Sequence, residues 1–251
     1  MQNPYTADIG DYGKYILLRA LAGSDLRLAV VWYLNPHVGK GADGKFTEYL
    51  CEAKESSYRC ASPTIYDGLR KIVRNGDRHI SFIREGGILP ADTIFYEAPL
   101  DYLKFGAMRA RKRAREEWLA AALSATGKSE LVFFDPDNGL EVKSHSPCSK
   151  LGAKYIFENE IRVFWQRNQS ILVYQHLNRS GTLEEQAHRG LARLRALADD
   201  SEGWAFSFHS YSVRLYFLLP IKGHASELRE RTRELESGPC KRVLGLRLHG
   251  V

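Results

Sequence analysis

The sequence predicts an α/β protein with a doubly wound, mostly parallel sheet, helices on both faces and a C-terminal antiparallel hairpin. Three observations support this fold class. Apolar runs of strand length alternate with amphipathic segments of helix length, a pattern that is typical of parallel sheets. Several of these runs are continuously apolar, as expected for strands that are buried on both faces. Near the C-terminus a short turn separates two strand patterns, which predicts the hairpin.

The predicted elements follow one another along the chain. We expect strands at residues 28–34, 79–84, 92–98, 130–134, 170–174, 204–209 and 213–219, with a candidate last strand at 242–248. We expect helices at residues 12–22, 63–74, 107–125, 155–166, 182–198 and 226–236. Asp11 is the expected N-cap of the first helix, because its short side chain can accept a bond from a free backbone amide.

The composition is that of a folded protein with a modest basic excess. The 251 residues include 36 Lys and Arg against 30 Asp and Glu, so the formal net charge is +6. A hydrophobic content of 44% excludes a disordered chain. The length suits one α/β domain over residues 1–251, with residues 35–75 as a candidate small insertion after the first strand.

The cysteines and the apolar runs indicate a cytoplasmic protein. The four cysteines are scattered and form no C-x-x-C pair, which argues against a disulfide framework and against a cysteine zinc site. The N-terminus lacks a signal-peptide pattern. The longest apolar runs are far shorter than the ~20 residues that span a bilayer, so we expect no membrane partner.

Polar residues directly follow several of the predicted buried strands. Ligands of such sheets bind at the carboxyl ends of strands, so these residues form the candidate site. After the first strand, Gly39, Gly41 and Gly44 follow the G-x-G-x-x-G spacing, which lets the backbone approach a ligand closely. After the strand at 130–134, residues 135–139 read DPDNG. This rigid turn holds two carboxylates and an amide.

Two further polar groups lie near the same predicted edge of the sheet. The strand at 170–174 is followed by the side-chain donors Gln175, His176, Asn178 and Arg179. His176 can serve as a general base, as a metal ligand or as a donor to a base. Before the first helix, Asp8, Asp11 and Lys14 crowd one turn, and we expect them over the mouth of the sheet.

These segments, in this order, resemble Rossmann-fold methyltransferases that use S-adenosylmethionine, most closely the RlmJ-type adenine-N6 methyltransferases of large-subunit ribosomal RNA. That family carries A-D-x-x-K before its first long helix, where residues 10–14 read GDYGK. After its first strand it carries L-Y-L-D-T-H-A-G-x-G and then G-E-Y-L, where residues 32–41 read WYLNPHVGKG and residues 47–50 read TEYL. After the fourth strand it carries D-P-P-Y, where residues 135–138 read DPDN. The likeness runs from about residue 7 to residue 220 and includes the terminal hairpin.

The resemblance implies a Rossmann-like methyltransferase fold and a site for S-adenosylmethionine at the first strand. The loop that would hold the methionine end of the cofactor contains Asn35, His37, Gly39 and Gly41. Glu85 or Glu97, which follow the second and third predicted strands, would bind the ribose hydroxyls. The sequence does not decide which of these two glutamates would bind the ribose.

The resemblance also implies the catalytic residues. The Asp135 carboxylate and the Pro136 carbonyl would accept hydrogen bonds from an exocyclic amine and orient its nitrogen toward the methyl group, so catalysis would be mainly positioning. Lys14 would contact the substrate or close the site. The other substrate-binding candidates are Asp11, Asp137, Asn138 and His176. The family motif ends in an aromatic residue that stacks on the target base, and here Phe133, Tyr174 and Tyr12 are the candidates for that ring.

The resemblance implies a nucleic-acid partner, from which a paired base would have to be flipped out. Residues 109–115 read RARKRAR. Because clustered charges release counterions together, we expect Arg111, Lys112 and Arg115 to contact phosphates. A solvated helix face is the alternative interpretation of this basic run.

Two other functions stay open at this point. A metal-dependent nuclease or phosphoesterase would bind Mg²⁺ or Mn²⁺ through Asp135, Asp137 and Glu141, since carboxylate oxygens suit both ions. A non-catalytic protein that binds a nucleotide or a nucleic acid is the third function. The methyltransferase hypothesis predicts that S-adenosylmethionine binds.

Overall fold

The computed structural model describes residues 3–36, 46–199 and 201–249. Strands β1 to β9 are Leu28–Trp32, Ile94–Tyr96, Leu131–Asp135, Gly139–Leu140, Tyr155–Ile156, Ser170–His176, Trp204–Phe208, Arg214–Leu219 and Arg247–His249. Strands β4 and β5 form a small parallel pair, and the other strands form one sheet in the order β2-β1-β3-β6-β8-β7-β9. Strands β2, β1, β3 and β6 are parallel to one another. Strand β8 runs antiparallel to both β6 and β7, and β9 runs antiparallel to β7. The prediction of an α/β fold with parallel central strands and a C-terminal hairpin is confirmed.

The helices cover both faces of this sheet. Helices α1 to α9 are Ile9–Ala22, Glu55–Tyr58, Pro63–Arg74, Ser81–Glu85, Met108–Ala125, Glu158–Trp165, Leu183–Leu197, Ala225–Ser237 and Pro239–Leu244. One core cluster includes apolar residues of α1, α3, α8 and α9. The other includes apolar residues of α5, α6 and α7. Among the described residues, no helix is both long and apolar enough to cross a membrane.

Alternation along the central strands explains the two core clusters. In β1, Leu28, Val30 and Trp32 belong to the α1 side, whereas Ala29 and Val31 belong to the α5 side. All five side chains are fully buried. A strand between two helical layers therefore has no polar face, and this accounts for the continuous apolar run in its sequence.

The prediction of a strand at residues 79–84 is wrong, because α4 occupies part of this segment. Residues 79–84 read HISFIR, and the two buried ones, Ile80 and Ile83, have the three-residue spacing of a helix. Gly86 ends the helix, and Gly87 has a φ of +60°. Glu85 therefore lies at a helix end rather than at a strand end.

Several other boundaries differ from the predictions; strand β6, for example, continues to His176, so this histidine ends the strand instead of following it. Pro239 begins helix α9, and Gly245, with a φ of +61°, ends it before β9; this replaces most of the strand predicted at 242–248. The helix predicted at 155–166 begins only at Glu158, because the preceding residues pair with β4. Helix α1 begins at Ile9, one turn earlier than predicted, and its N-cap is Asp8 rather than Asp11.

Candidate functional site

A cavity of about 340 Å³ lies at the carboxyl edge of the sheet, on the side of α1. The alternation of β3 determines which residues reach it. Leu131 and Phe133 pack into the α1-side core, and Asp135, two residues further, points the same way at the strand end. Tyr174 of β6 and Tyr216 of β8 pack against the same core and also line the cavity. The remaining lining residues are Tyr5, Asp8, Gly10, Asp11, Lys14, Phe46, Pro136, Asp137, Asn138, Lys154, His176, Ser212 and Arg214.

Lys14 links helix α1 to the end of β3. Its ammonium Nζ lies 2.7 Å from Asp11 Oδ1 and 2.8 Å from Asp135 Oδ2. All three residues are at least 95% buried, with exposures of 5%, 2% and 5% for Lys14, Asp11 and Asp135. Hydrogen bonds between charged groups in so buried a place are strong, and they fix the position of each carboxylate.

The first turn of α1 is built to present Asp11 to this lysine. The backbone N–H of Asp11 donates to Asp8 Oδ1 at 2.9 Å, which caps the helix. The backbone N–H of Ala7 donates to Asp11 Oδ2 at 3.0 Å, so the second oxygen of Asp11 is also held. The spacing of three residues between Asp8, Asp11 and Lys14 thus puts cap, carboxylate and ammonium on one side of the helix.

Burial dominates the electrostatics of this cluster. Burial raises the pKa of Asp11 from 3.8 to about 6, although Lys14 acts in the opposite direction. For Lys14, burial alone would lower the pKa, but the carboxylates of Asp11 and Asp135 outweigh it and hold the pKa well above its usual value. Lys14 is therefore a permanent cation at neutral pH.

The turn after β3 is rigid and is anchored to two neighbours. The backbone N–H of Asn138 donates to the Lys154 carbonyl at 2.9 Å, and the Asn138 carbonyl accepts from the backbone N–H of His176 at 3.1 Å. Gly139 has a φ of +109°, and a Cβ there would lie 2.4 Å from Gln175 Oε1. Only glycine fits both this conformation and this contact, which accounts for the glycine at the end of the DPDNG turn.

Residues of β6 and β8, the next strands of the sheet after β3, also line the cavity. Tyr174 is half-buried, and burial raises its pKa to about 12. Its hydroxyl lies 3.3 Å from His176 Nδ1. Burial and the nearby Arg214 lower the pKa of His176, so this imidazole is neutral at pH 7.

Arg214 reaches the cavity over the first turn of α1. Its guanidinium lies 3.5 Å from Asp8 Oδ2. A Cβ on Gly10 would lie 2.3 Å from Arg214 Nε, so the absence of a side chain at Gly10 makes room for the arginine. Gly10 is part of the GDYGK segment, and this contact gives it a physical role.

The solved structures that match the chain include one that covers nearly its whole length. It is the crystal structure of protein LPL1258 from Legionella pneumophila str. Philadelphia 1, of the family model DUF519; the TM-score is 0.50, the identity is 12% and the match covers 97% of each chain. No family model matches the chain, and no curated protein does. At so low an identity the match shows that the fold is shared and nothing about activity.

The structure brings together most residues predicted for catalysis and substrate. Lys14, Asp135 and Pro136 all line the cavity, and so do the substrate candidates Asp11, Asp137, Asn138 and His176. Asp137 lies 3.8 Å from the ammonium of Lys154. Of the aromatic candidates, Phe133 and Tyr12 are fully buried in the core, and only Tyr174 lines the cavity.

The predicted cofactor residues divide into three groups. Asn35 follows β1 and Glu97 follows β2, its parallel neighbour, so both stand at the carboxyl edge of the sheet. Glu85 is exposed at the end of α4, so the expectation that it follows a strand is wrong. His37, Gly39 and Gly41, with Gly44 of the same loop, lie outside the described residues.

The prediction that Arg115 contacts nucleic acid does not fit its position, because its side chain is buried. Its guanidinium donates two bonds to Glu160, at 2.6 and 3.0 Å. It also donates to the backbone carbonyls of Pro147, Gly152 and Tyr155. Arg115 therefore holds together the segment that carries β5 and Lys154. Of the other two residues predicted to contact phosphates, Arg111 is half-buried and Lys112 is exposed.

The metal alternative finds little support in the cavity. Glu141 does not line it; its side chain accepts a bond from the backbone N–H of Glu158 at 2.9 Å. Within the described ranges, no group of three or more His, Cys, Asp or Glu is placed to hold a metal ion. Lys14 already supplies the positive charge that faces Asp135.

Sequence reasoning missed Phe46, Lys154, Arg214 and Tyr216 as parts of the cavity. Arg214 and Tyr216 did carry a signal, because they alternate with apolar residues at the start of β8 and so share one face. Phe46 and Lys154 come from connecting segments, and only the tertiary structure brings them to the cavity.

Proposed function

We propose that the chain is an S-adenosylmethionine-dependent methyltransferase that acts on an exocyclic amine of a nucleic-acid base. One observation supports this most directly. The carboxylate of Asp135 is buried at the end of β3, is fixed by Lys14, and is followed by Pro136 inside a cavity. This is the geometry that holding an amine requires.

Asp135 and Pro136 would hold the acceptor amine. A carboxylate oxygen of Asp135 and the Pro136 carbonyl are both acceptors, so they can bind the two N–H bonds of an amine and leave its lone pair to face the cofactor. Lys14 keeps the Asp135 carboxylate in one orientation. Tyr174 offers the acceptor ring an aromatic wall.

The described residues near the ends of β1 and β2 fit the cofactor in their chemistry. When bound, S-adenosylmethionine would supply a methyl group from its sulfonium sulfur; the C–S bond would break as the N–C bond forms, and the electron pair would stay on sulfur. Glu97 Oε1 lies 2.7 Å from Arg84 Nη2, in an ion pair without a well-aligned hydrogen bond. The ion pair holds Oε1, and the second carboxylate oxygen of Glu97 is the one suited to accept from ribose hydroxyls. Asp137 lies on the turn of residues 135–139, the acceptor turn, and is suited to take up the proton that the nitrogen loses.

The order of the strands also favours this function. Strand β8 lies between β6 and β7, antiparallel to both, and Asp135 ends the strand between β1 and β6. The resemblance to Rossmann-fold methyltransferases implies such a terminal hairpin. It also implies that the cofactor binds at the end of β1 and the acceptor amine at the end of β3, where Asp135 and Pro136 lie.

Calorimetric titration with S-adenosylmethionine and with S-adenosylhomocysteine tests the proposal. Both ligands are expected to bind, and Glu97→Gln is expected to weaken binding roughly tenfold or more, because a hydrogen bond to a charged group is lost. Glu85→Gln is the matched control and should leave the affinity unchanged. Absence of binding at millimolar ligand would refute the proposal.

Transfer of a labelled methyl group to RNA or DNA tests the catalytic step. Asp135→Asn should retain cofactor binding and lose transfer by about 100-fold, because the amine is no longer oriented. Cofactor binding without transfer to RNA or DNA by the unaltered protein would instead identify a non-catalytic binding protein.

A further inference from the structure

Two exposed aromatic side chains stand together at the mouth of the cavity. Phe46 is 38% exposed and lines the cavity, and Tyr211 is 47% exposed and precedes the lining residue Ser212. The ring centroids of Phe46 and Tyr211 are 5.4 Å apart, and the ring planes are inclined by 40°. Exposed aromatic surface at the rim of a site is characteristic of binding.

The backbone and one lysine hold this pair in place. The Phe46 carbonyl accepts from the backbone N–H of Ile9 at 3.0 Å, which ties it to the first turn of α1. Tyr211 has a φ of +60°, a conformation that is unfavourable for a residue with a bulky side chain. Lys54 Nζ lies 3.1 Å from the Tyr211 hydroxyl and 5.8 Å from the centre of its ring. The ring is thus kept outward, beside a cation.

We propose that Phe46 and Tyr211 form a stacking site for an unpaired nucleobase next to the base held in the cavity. This inference rests on the proposed function and names its substrate class as a single-stranded or flipped-out nucleic-acid segment. One ring stacks on the base and the other, inclined to it by 40°, borders it, while Lys54 stands beside the pair to meet a phosphate.

The observations favour a nucleobase over a peptide segment. Stacking on exposed aromatic rings is available to every base and needs no shaped pocket. The adjacent ammonium of Lys54 is 3.5 Å from the exposed carboxylate of Glu48, a distance at which it can still meet a phosphate. An aliphatic partner would favour an enclosed apolar groove, whereas the rims of these rings are open to solvent.

Fluorescence anisotropy with two labelled probes tests the stacking site. One probe is a single-stranded oligonucleotide, and the other is an abasic phosphodiester of the same length and charge. The unaltered protein should prefer the oligonucleotide. Tyr211→Ala and Phe46→Ala should each weaken oligonucleotide binding at least about fivefold and leave binding of the abasic probe unchanged.

Two control variants make the test specific. Tyr211→Phe keeps the ring and loses only the hydroxyl bond to Lys54, so it should bind like the unaltered protein. Phe105→Ala removes an aromatic side chain that is 37% exposed but does not line the cavity, and it should have no effect. Circular dichroism of all variants establishes that they are folded.

The stacking site and the proposed function fail in distinguishable ways. If Tyr211→Ala and Phe46→Ala bind the oligonucleotide normally while S-adenosylmethionine binds and reacts, the stacking site is refuted alone. If the variants lose oligonucleotide binding but S-adenosylmethionine does not bind, the stacking site stands and the methyltransferase does not. Equal affinity of the unaltered protein for both probes overturns the stacking site.

Discussion

Lys14 couples the carboxylate of Asp135 to the first turn of helix α1. It is the cation between Asp11, which belongs to the first turn of α1, and Asp135, which ends β3. An unpaired buried charge is costly, so removal of the ammonium would leave two carboxylates to face each other at low dielectric. The cluster therefore sets both the protonation of Asp11 and the orientation of Asp135.

Asp11 should have a visible effect on the pH dependence of stability. Its pKa in the folded protein is raised from 3.8 to about 6, mainly by burial, so the folded state binds this proton more tightly than the unfolded state does. The contribution of Asp11 to the free energy of unfolding must then fall as the pH rises between these two values. In urea denaturation, the Asp11→Asn variant should not show this loss of stability between pH 3.8 and about 6.

The exposed Asp92 offers the control for this experiment, and Lys14 offers a second test. Asp92→Asn should leave the slope of stability against pH as it is. Lys14→Met should raise the Asp11 pKa further, since Lys14 lowers it, and carboxyl NMR measures that directly. A slope that is the same in Asp11→Asn and in the unaltered protein contradicts the assignment.

Helix α5 contributes to the site through a structural contact. Arg115 binds Glu160 at the start of α6 and three backbone carbonyls of residues 147–155. That segment supplies the Lys154 carbonyl, which accepts from the N–H of Asn138 in the acceptor turn. Arg115 thus stabilises the turn that carries Asp137 and Asn138 indirectly, through the segment of residues 147–155.

Removal of Arg115 should destabilise the protein strongly. Arg115→Ala leaves Glu160 buried without its partner, which typically costs about 3–5 kcal/mol. Lys112→Ala, one helical turn away and exposed, should change the free energy of unfolding by less than about 0.5 kcal/mol. Chemical denaturation measures both. A double variant Arg115→Met, Glu160→Leu should recover part of the loss, and similar small effects for Arg115→Ala and Lys112→Ala would contradict the structural role.

Strands buried on both faces could be predicted from the sequence. Very short strands, and segments whose pattern fits both a strand and a helix, could not. Strands β1, β3 and β6 appear as continuous apolar runs because both of their faces pack against helices. Residues 79–84 have apolar side chains that fit a strand and a helix equally, and tertiary packing of Ile80 and Ile83 selected the helix. The two-residue strands β4 and β5 are too short for any pattern.

The site was predictable where it follows a strand and not where it depends on distant contacts. The DPDN turn and the GDYGK segment both stand out locally, and they meet through the ion pair of Lys14 with Asp135. Nothing in the sequence around Arg115 distinguishes it from Arg111, because only the folded chain places Glu160 beside it. Phe46 and Tyr211 are 165 residues apart in the sequence, so no local sequence pattern predicts their contact.

The net charge of +6 has a more specific meaning once the fold is known. Helix α5 follows β2 and begins at the carboxyl edge of the sheet, where the cavity lies. Without the buried Arg115, the exposed basic run still includes Arg109, Lys112 and Arg113. Its charge is partly compensated, since Lys112 lies 3.8 Å from Glu116 and Arg113 lies 2.8 Å from Glu117.

Charge reversal in this run should change the salt dependence of nucleic-acid binding. If Arg111 and Lys112 each contact a phosphate of a single strand, the variant Arg111→Glu, Lys112→Glu should lower the slope of log affinity against log salt by about 1.4. Lys128 precedes β3 and Lys222 follows β8, so both lie at the opposite edge of the sheet. Reversal of those two lysines changes the net charge equally and should leave the slope nearly unchanged. Equal slopes for the two double variants would mean that only the net charge of +6 affects nucleic-acid binding, and that the start of α5 is a solvated surface without phosphate contacts.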